Sequence, residues 1–451
     1  MKLILKFLAA CSLLATAAAT VNDRITKSTE IAQSTAVSTT TYQLSSIDDS
    51  MYAILVSPEE YAHLSHSSVS VKGGETLPST WIDDATLFGF KKLLVQLPPS
   101  SFSSSLTLTH SLALNTINDP LPREITQDDL AYSLSYKTYT HVVSPYHTHD
   151  MRVKIRTPTP KILKYGMTYD DSKTTKNGGV ITYGPWIDTA PYSIPTDHIE
   201  ILYEAAGPRL AYEKVDRSAQ VSHWGNTISY RDDIILRNIG PSLKGQFTRL
   251  THQAQSFLNM LPTNVATLLE MRLPNQSQEV WFVDQIGNVT TSHLKQSDAG
   301  TVLQLKPRYP LMGGWKYSFS VGWENTMKSV AKVVNGLIKL SVPFSNTPSD
   351  VAVHEAVTRI ILPEGAHMLD VSVPFEGATI SYETTYTYLD TIGRPTVVVT
   401  AFNTSAAHNK DIVVVYSLSI LNAARKPLTV SAAAFALFMT TSLLRRINTK
   451  I

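Results

Sequence analysis

Cysteine is almost absent from this sequence, which contains one, Cys11, among 451 residues. Cys11 lies in the opening stretch MKLILKFLAACSLLATAAAT, where two lysines precede an apolar run that ends in small residues. This layout is typical of a cleaved secretory signal, and we expect residues 1–19 to be removed by cleavage near Ala19. The mature chain would then enter an oxidising compartment without a thiol, which excludes disulfide bonds and a cysteine nucleophile.

An excess of charge of either sign is also absent. The 39 lysines and arginines nearly balance the 37 aspartates and glutamates, so the formal net charge is only +2. Proteins that bind nucleic acids normally carry a strongly basic patch. We therefore expect no nucleic-acid partner for this chain.

The motifs that mark common enzyme classes are missing as well. The sequence has no G-x-S-x-G elbow, no phosphate-binding P-loop and no G-x-G-x-x-G fingerprint. The stretch VHEAVTRI begins like the helix of a zinc peptidase, but Thr358 stands four residues after His354, where a second imidazole is needed. Asp232 and Asp233 are adjacent, so on a strand they point to opposite faces and cannot share one substrate. We expect no catalytic residue and no cofactor.

One histidine cluster contains plausible metal ligands. In HTHD, residues 147–150, His147 and His149 are two positions apart and would lie on the same face of a strand. A zinc ion needs at least a third protein ligand, and the sequence does not indicate where one lies, although His141 is close along the chain. We predict no bound metal.

Alternating apolar and polar residues dominate the rest of the chain. Residues 379–389, 396–402 and 411–420 are rich in Val, Ile, Thr and Tyr and are separated by turn residues. This pattern predicts a mainly β fold of sandwich type with minor helix. Because 451 residues exceed one ordinary domain, we expect two tandem domains, residues 20–240 and residues 241–424.

Two further segments give local expectations. Residues 26–46 are crowded with Ser and Thr, and we prefer a polar edge strand over a mucin-like stalk, because such stalks usually contain proline. Residues 248–272 form the best helical candidate, which Pro262 interrupts.

A long uncharged segment occupies the C-terminal region. Residues 427–444, PLTVSAAAFALFMTTSLL, would span ~27 Å as a helix, close to the thickness of a thin bilayer. We predict a transmembrane helix; a buried core helix and a glycolipid-anchor signal near Asn422 are the alternatives. A cleaved signal leaves the N-terminus in the lumen, so residues 445–451 would form a cytosolic tail.

Three asparagine sequons occur in the part predicted to be lumenal. They are Asn288 (N-V-T), Asn403 (N-T-S) and Asn275 (N-Q-S), and each is a candidate for N-glycosylation. Asn288 ranks first because it follows a glycine at a predicted turn and its third position is Thr.

Several segments together resemble one known family. They are YGPW (183–186), VSHWGN (221–226), LKGQFTR (243–249), DQIGNVTTSHL (284–294), PRYPLMGGWKYSFSVGW (307–323) and ILPEGA (361–366). In that order, they are similar to the landmark segments of the ribophorin I family, which are subunits of the oligosaccharyltransferase complex of the endoplasmic reticulum. The similarity covers roughly residues 180–445 and is loose before residue 170.

The resemblance implies a single-pass type I protein of the endoplasmic-reticulum membrane, with most of the chain lumenal. It implies a non-catalytic accessory subunit that supports N-glycosylation by complex assembly and acceptor positioning. Its partners would be the catalytic polytopic subunit, other small membrane subunits and nascent polypeptides. Asn288 stands where animal members carry a glycan, and the short tail resembles the fungal form of the family.

The tryptophans of these landmark segments have an ordinary structural interpretation. Trp224, Trp315 and Trp323 are large enough to anchor a core, and a glycine before Trp315 permits close backbone approach. We predict that they are packing residues, with a docking face for a partner as the alternative.

Two other functions stay open at the level of sequence. One is a lumenal hydrolase of unfamiliar type that depends on His147 or His149, and the other is an adhesive glycoprotein of the cell surface.

Overall fold

The protein is built mainly of β-strands, as the alternating sequence pattern predicts, and is described here from a computed structural model. The structure describes residues 20–47, 50–72, 74, 76–82, 89–98, 105–166, 173–195, 198–297 and 300–446. The predicted signal peptide, residues 1–19, lies outside these ranges, as do residues 447–451 of the predicted tail.

The first part of the chain forms sixteen of the described strands and one short helix. The strands are β1 (Val21–Ile31), β2 (Thr35–Ser46), β3 (Met51–Val56), β4 (Leu64–Val71), β5 (Thr76–Leu77), β6 (Ser79–Ile82), β7 (Lys91–Gln96), β8 (Leu106–Asn115), β9 (Asn118–Leu121), β10 (Glu124–Ile125), β11 (Ser133–Tyr139), β12 (Thr148–Arg156), β13 (Ile162–Lys164), β14 (Thr174–Asn177), β15 (Val180–Thr189) and β16 (His198–Glu204). Helix α1 (Pro58–Ala62) lies between β3 and β4.

These strands enclose one hydrophobic core. An eight-stranded sheet has the order β14-β15-β12-β1-β2-β8-β4-β5, and it is accompanied by a four-stranded sheet, β13-β16-β11-β9, and a three-stranded sheet, β3-β7-β6. Along β8, side chains alternate between buried and partly exposed over most of the strand, so one face supplies the core. Ile25, Leu108, Met151, Tyr183 and Ile201 meet in this first core, and each is fully buried.

The Ser/Thr-rich residues 26–46 form interior strands, so the prediction of an edge strand is wrong. They make up most of β1 and β2, which pair with each other in the middle of the eight-stranded sheet. Some of their hydroxyl groups are buried and paired across the two strands: Thr29 donates from Oγ1 to Ser38 Oγ over 3.2 Å. Threonine suits a strand because it is β-branched, and a paired hydroxyl removes most of the cost of burying it.

The second part of the chain contributes fifteen described strands. They are β17 (Leu210–Ser222), β18 (Thr227–Asn238), β19 (Ser242–Leu243), β20 (Leu269–Leu273), β21 (Gln278–Asp284), β22 (Ser292–Ser297), β23 (Gly300–Leu305), β24 (Lys316–Thr326), β25 (Ala331–Val334), β26 (Leu337–Pro343), β27 (Ala352–Ile361), β28 (His367–Ser372), β29 (Thr379–Thr385), β30 (Arg394–Thr404) and β31 (Asp411–Ser417). Helices α2 (Arg249–Phe257) and α3 (Met327–Val330) and a 3₁₀ turn (Ala406–His408) interrupt them.

A second hydrophobic core lies between these strands. The seven-stranded sheet β21-β24-β18-β17-β27-β30-β29 is accompanied by the four-stranded sheet β25-β26-β31-β28 and the three-stranded sheet β20-β23-β22. The predicted strands at residues 379–389, 396–402 and 411–420 overlap β29, β30 and β31, but β29 already ends at Thr385 and β31 at Ser417. Trp323, Phe344 and Tyr416 are among the largest side chains of this core.

A buried ion pair crosses the second core. Arg217 on β17 donates from Nε and Nη2 to the two carboxylate oxygens of Asp232 on β18, over 2.7 and 2.6 Å. The Arg217 guanidinium also lies 5.2 Å from the ring centre of Trp323. Asp233 points away and bonds Arg231 at the surface, which confirms that the two adjacent acids face opposite ways.

The predicted helix at residues 248–272 is only partly present. Helix α2 ends at Phe257, and Asn259 has a left-handed φ of 56° before Pro262 is reached. Beyond the proline, Leu269, Met271 and Leu273 are buried at every second position and form β20. A period of two therefore decides the structure of that part, because it matches a strand and not a helix.

The two cores meet through polar contacts. Buried Arg209 donates to the carbonyl of Gln33 and to Oδ1 of Asn118, over 3.2 and 3.1 Å. Strand β10 pairs in parallel with β19, which forms a two-stranded sheet between the parts. The first core extends to Ala205 and the second begins at Tyr212, while the domain boundary at residues 240 and 241 stays a prediction.

Two helices end the described chain. They are α4 (Ile420–Ala423) and α5 (Arg425–Arg446), and α5 contains the predicted transmembrane segment, residues 427–444. Its apolar window has a mean hydropathy of 1.6 and no buried residue, so α5 is long and apolar enough to cross a membrane. The alternative of a buried core helix is wrong, because none of the residues of α5 is buried against the rest of the chain.

Candidate functional site

The start of α5 is fastened to the second core by one loop. The ammonium group of Lys426 lies 2.8 Å from Oδ1 of Asp390, and it also donates to the carbonyl of Tyr388 over 2.9 Å. Asp390 lies in the loop between β29 and β30, and its carboxyl group is fully shielded from solvent. The helix and this loop therefore share a charge pair in which Asp390 is buried and Lys426 is partly exposed.

Asp390 has further partners that fix its charge. Arg394 lies 3.2 Å from Oδ2, and both the backbone and the hydroxyl of Thr387 donate to the same oxygen. Burial raises the pKa of Asp390, but the hydrogen bonds from Lys426 and Thr387 outweigh burial and bring the pKa down to about 2. The carboxylate is thus ionised and held by cations on both sides.

A second acid holds the neighbouring end of the same loop. Oε1 of Glu364 accepts from the backbone nitrogens of Thr391 and Ile392, over 2.6 and 2.8 Å. Asn422 in α4 donates to the carbonyl of Gly365 over 2.7 Å. Loop 386–393 is consequently bound to the residues before β28 and to the helices.

Trp224 reaches the same junction from another direction. It lies in the turn between β17 and β18, and its indole nitrogen donates to the carbonyl of Ala423 over 2.8 Å. Its side chain is 71% exposed, so the prediction that Trp224 packs in the core is wrong. No strand covers this turn among the described residues, which leaves the ring on the surface. We call the contacts of Trp224, Asp390, Asn422 and Lys426 the helix junction.

Large apolar side chains surround the helix junction at the surface. They are Trp224, Tyr386, Tyr388, Leu389, Ile392, Ile420 and Leu421, all exposed, and we call them the apolar rim. A groove of about 600 Å³ lies beside them, bounded by Trp224, Arg394 and Lys426 and by Val430 of α5. Tryptophan and tyrosine beside an apolar helix suit the interface between water and a bilayer.

The other landmark tryptophans are packing residues. Trp323 is 1% exposed and stacks on Tyr230 with ring centres 5.2 Å apart, which confirms its prediction. Trp315 is partly buried against the second core. A side-chain carbon placed on Gly313 would lie 1.7 Å from the carbonyl oxygen of Pro241, so only glycine permits this approach.

The Asn288 sequon lies on an exposed turn between β21 and β22. Asp284 accepts from the backbone nitrogens of Ile286 and Gly287, over 2.9 and 3.0 Å, and so closes the turn. Its hydrogen bond from Arg308 lowers the pKa of Asp284 to about 2. Val289 is buried, which leaves Asn288 projecting into solvent.

The two other sequons have different surroundings. Asn403 donates from Nδ2 to the carbonyl of Leu64 and accepts at Oδ1 from Asn115, both over 2.8 Å. Its amide therefore joins the two cores. Asn275 is exposed in the turn after β20, but Ser277, the third residue of its sequon, is fully buried and donates to Pro274. Occupancy of all three sequons stays a prediction.

The histidine cluster lies far along the chain from the helix junction. His147 and His149 stand at the start of β12, and Asp188 of β15 faces them, with its Oδ1 2.9 Å from Nδ1 of His149. Nothing in the sequence points to Asp188 as a neighbour of His149, because it lies 39 residues further along the chain and no motif connects the two.

Comparison with known proteins identifies a family profile along nearly the whole described chain. The profile described as Ribophorin I matches residues 20–445. The matched range includes all the described strands and all but the last residue of α5.

Curated relatives carry consistent names. Dolichyl-diphosphooligosaccharide–protein glycosyltransferase subunit 1A of Arabidopsis thaliana is 30% identical over 358 residues, which cover 79% of this chain and 57% of the relative. Subunit 1 of Caenorhabditis elegans is 28% identical over 75% of this chain and 57% of the relative. The chain thus spans a little over half the length of these relatives.

Similarity to solved structures is low. The yeast leukotriene A4 hydrolase structure has a TM-score of 0.28 and 10% identity over 45% of this chain and 31% of that chain. A similarity of this size supports no argument about fold or activity.

Proposed function

Because this chain belongs to the ribophorin I family, we propose that it acts as a non-catalytic accessory subunit of an oligosaccharyltransferase complex. In this role it supports transfer of a dolichol-linked oligosaccharide to the asparagine of Asn-X-Ser/Thr sequons. Its contribution is to hold other subunits and acceptor polypeptides in place.

The helix junction is the observation that carries this proposal. The ion pair between Lys426 and buried Asp390, together with the hydrogen bond from Trp224 to Ala423, couples the apolar helix to the second core. A helix that hung from a free linker would let the folded part move independently. The coupled arrangement instead sets the folded part at a defined position relative to a membrane, as a scaffold requires.

Two acidic groups of the second core, Asp284 and Asp390, also fit a role other than catalysis. Asp284 is held by Arg308 and Asp390 by Lys426 and Arg394, and the pKa of each carboxyl is about 2. A general acid needs a pKa near the working pH, so a carboxyl group with a pKa of about 2 does not serve as one near neutral pH. Carboxylates paired in this way stabilise structure.

We place the chain in the membrane of the endoplasmic reticulum as a single-pass type I protein. The predicted signal peptide at residues 1–19 would put the folded part in the lumen, and α5 would span the bilayer. The three sequons would then lie on the side where glycosylation takes place. Two adjacent basic residues stand at each end of the apolar segment, Arg425 and Lys426 before it and Arg445 and Arg446 after it. Their positions fit the two headgroup layers of a bilayer.

Partner contacts are assigned to two surfaces. Helix α5 contains three consecutive alanines, 432–434, and small side chains let helices approach closely in lipid. The exposed apolar rim lies next to the start of α5, at the level where the folded parts of neighbouring subunits would meet. The polytopic catalytic subunit, small membrane subunits and nascent polypeptides are the partners that fit this arrangement.

Depletion and re-expression of the chain tests the proposal. We expect depletion to lower glycan occupancy at a subset of client sequons, measured by peptide mass spectrometry, and the intact chain to restore it. A matched variant keeps residues 1–426 and the charged ends but replaces residues 427–444 with an unrelated apolar helix of equal length. Unchanged occupancy in depleted cells, or hydrolytic turnover by the purified folded part, would contradict the proposal.

A further inference from the structure

Two imidazoles and one carboxylate converge at the edge of the first core. The ligand atoms of His147, His149 and Asp188 all lie within 4.8 Å of one another, and the two imidazole ring centres are 5.1 Å apart. Among the residues that the structure describes, this is the one group of three such side chains with the spacing of a metal site. The sequence alone predicts no bound metal, because it does not locate a third ligand, and Asp188 is that missing group. We propose that the cluster binds a Zn²⁺ ion, independently of the role proposed above.

The backbone of β12 explains why the two histidines act together. Thr148 lies between them and is buried, with its hydroxyl accepting from the amide of Asn22 over 3.3 Å. The backbone nitrogen of Asn22 also donates to the carbonyl of His147 over 2.9 Å. Because alternate residues of a strand point to opposite faces, an inward Thr148 directs His147 and His149 outward on one face. The scaffold under both imidazoles is therefore fixed by the parallel pairing of β1 with β12.

Asp188 arrives from the neighbouring strand in matching register. Thr148 pairs with Thr189 and Asp150 pairs with Ile187 across the antiparallel strands, so Asp188 stands opposite His149. Asp188 has a left-handed φ of 50°, a conformation that aspartate tolerates better than most residues. Oδ1 of Asp188 and Nδ1 of His149 are 2.9 Å apart, which is the distance of a hydrogen bond, so a bound ion would take the place of the proton between them.

The ligand types select the metal. Imidazole nitrogen and carboxylate oxygen bind Zn²⁺ at about 2.0 to 2.2 Å, and three protein ligands leave one tetrahedral position for water. Hard cations such as Ca²⁺ need six or more oxygen ligands and gain little from imidazole. His147 is partly exposed, and His149 and Asp188 are exposed, so the ion can enter from solvent. A bound ion would cross-link β12 to β15 at an end of the sheet.

Metal titration of the purified, tag-free full chain in detergent tests the site. Isothermal titration calorimetry with ZnCl₂ is expected to show one ion per chain, and thermal melting to show a higher Tm with Zn²⁺ than with Ca²⁺. Co²⁺ bound at the same site should show the visible absorption that is typical of a four-coordinate site. Asp188→Asn and His149→Gln should each weaken Zn²⁺ binding by at least roughly tenfold, since even an outer-shell partner is worth about that much.

The matched control is His367→Gln, which removes an exposed histidine on β28 outside the cluster. It should leave Zn²⁺ affinity and stoichiometry unchanged. Asparagine also tolerates a left-handed φ, so Asp188→Asn should fold. Absence of saturable Zn²⁺ binding, or equal affinity in all three variants, would overturn the proposal. If Asp188→Asn lowers the Tm but Zn²⁺ changes the Tm of neither the variant nor the unmodified chain, the proposal is likewise overturned. Asp188 and His149 would then form only an ion pair.

Discussion

Nζ of Lys426, in the first turn of α5, lies 2.8 Å from Oδ1 of Asp390, which is shielded from solvent in a loop of the second core. The apolar helix and the folded part are thereby coupled at one ionic contact. A negative carboxylate near a helix N-terminus is also favoured by the helix dipole. This pair holds α5 against the second core together with the hydrogen bond from Trp224 to Ala423.

Replacing Lys426 with alanine should loosen the helix junction. The variant leaves buried Asp390 with Arg394 as its remaining cation, and we expect a loss of about 1–3 kcal/mol in the free energy of unfolding. Thermal melting in detergent measures the loss, and limited proteolysis should cut loop 386–393 faster. The control is Lys339→Ala, an exposed lysine of β26, which should change stability by less than about 0.5 kcal/mol. Equal melting temperatures for both variants would contradict the coupling.

The buried pair of Arg217 and Asp232 should dominate the stability of the second core. Arg217→Met strands an unpaired carboxylate where both side chains are at most 2% exposed, so we expect a loss of about 3–5 kcal/mol. Adding Asp232→Leu should recover much of that loss, because the uncompensated charge is removed as well. Chemical denaturation checks both values.

The surface pair beside it provides the control for that series. Arg231→Ala breaks the exposed bond to Asp233 and should cost less than about 1 kcal/mol. If Arg231→Ala proved as damaging as Arg217→Met, burial would not be the reason for the difference.

Asn288 should carry a glycan, and Asn403 should be modified less. Asn288 projects into solvent, while both atoms of the Asn403 amide bond residues of the first core. Peptide mass spectrometry of the chain isolated from membranes measures the occupancy of each sequon. Thr290→Ala should abolish modification of Asn288, so the chain should migrate faster on a gel by the equivalent of one glycan. Full occupancy at Asn403 would contradict the prediction and show that its contacts with Leu64 and Asn115 do not limit modification.

Acidification should weaken the contact between the two cores. The pKa of His408 is lowered from 6.5 to about 4, first by burial and next by the nearby charge of His66. The ring of His66 in the first part of the chain lies 5.4 Å from the ring of His408 in the second part. Lys410 acts in the same direction, whereas the backbone of Ser405 opposes it. The unfolded chain binds the proton first, so this contribution to stability is complete above pH 6.5 and is lost as the pH falls towards 4.

Melting temperatures measured between pH 7 and pH 4 test this dependence. The loss from His408 alone amounts to about 3 kcal/mol at most. His408→Gln should flatten that part of the profile, while His367→Gln should leave it unchanged. A profile that His408→Gln does not alter would show that another group controls the acid response.

Local pattern was sufficient to predict much of the fold. The run of β-branched residues at 396–402 predicts β30, and the uncharged run at 427–444 predicts α5, because each signal lies within the element itself. At residues 26–46 the composition led to a wrong prediction. The many hydroxyl groups suggest an exposed edge strand, but some of them are hydrogen-bonded to each other inside the sheet. For Trp224 the error was the opposite one. Its large aromatic ring suggests a core residue, but it lies in a turn that no described strand covers and is therefore exposed.

The sites depend on contacts that no local pattern encodes. Asp188 meets His149 only because β12 and β15 pair in one particular register. Asp390 meets Lys426 across 36 positions, which follows from where the loop after β29 returns to the helices. Such pairs become visible when the strand order and register are known.

The most direct test of a scaffold role is quantitative mass spectrometry of what co-purifies with the tagged full chain from digitonin-solubilised microsomes. We predict that the polytopic catalytic subunit and small membrane subunits of oligosaccharyltransferase are recovered in a fixed ratio to the chain. Recovery of the chain alone, at the size of a monomer and with hydrolytic activity of its own, would contradict it.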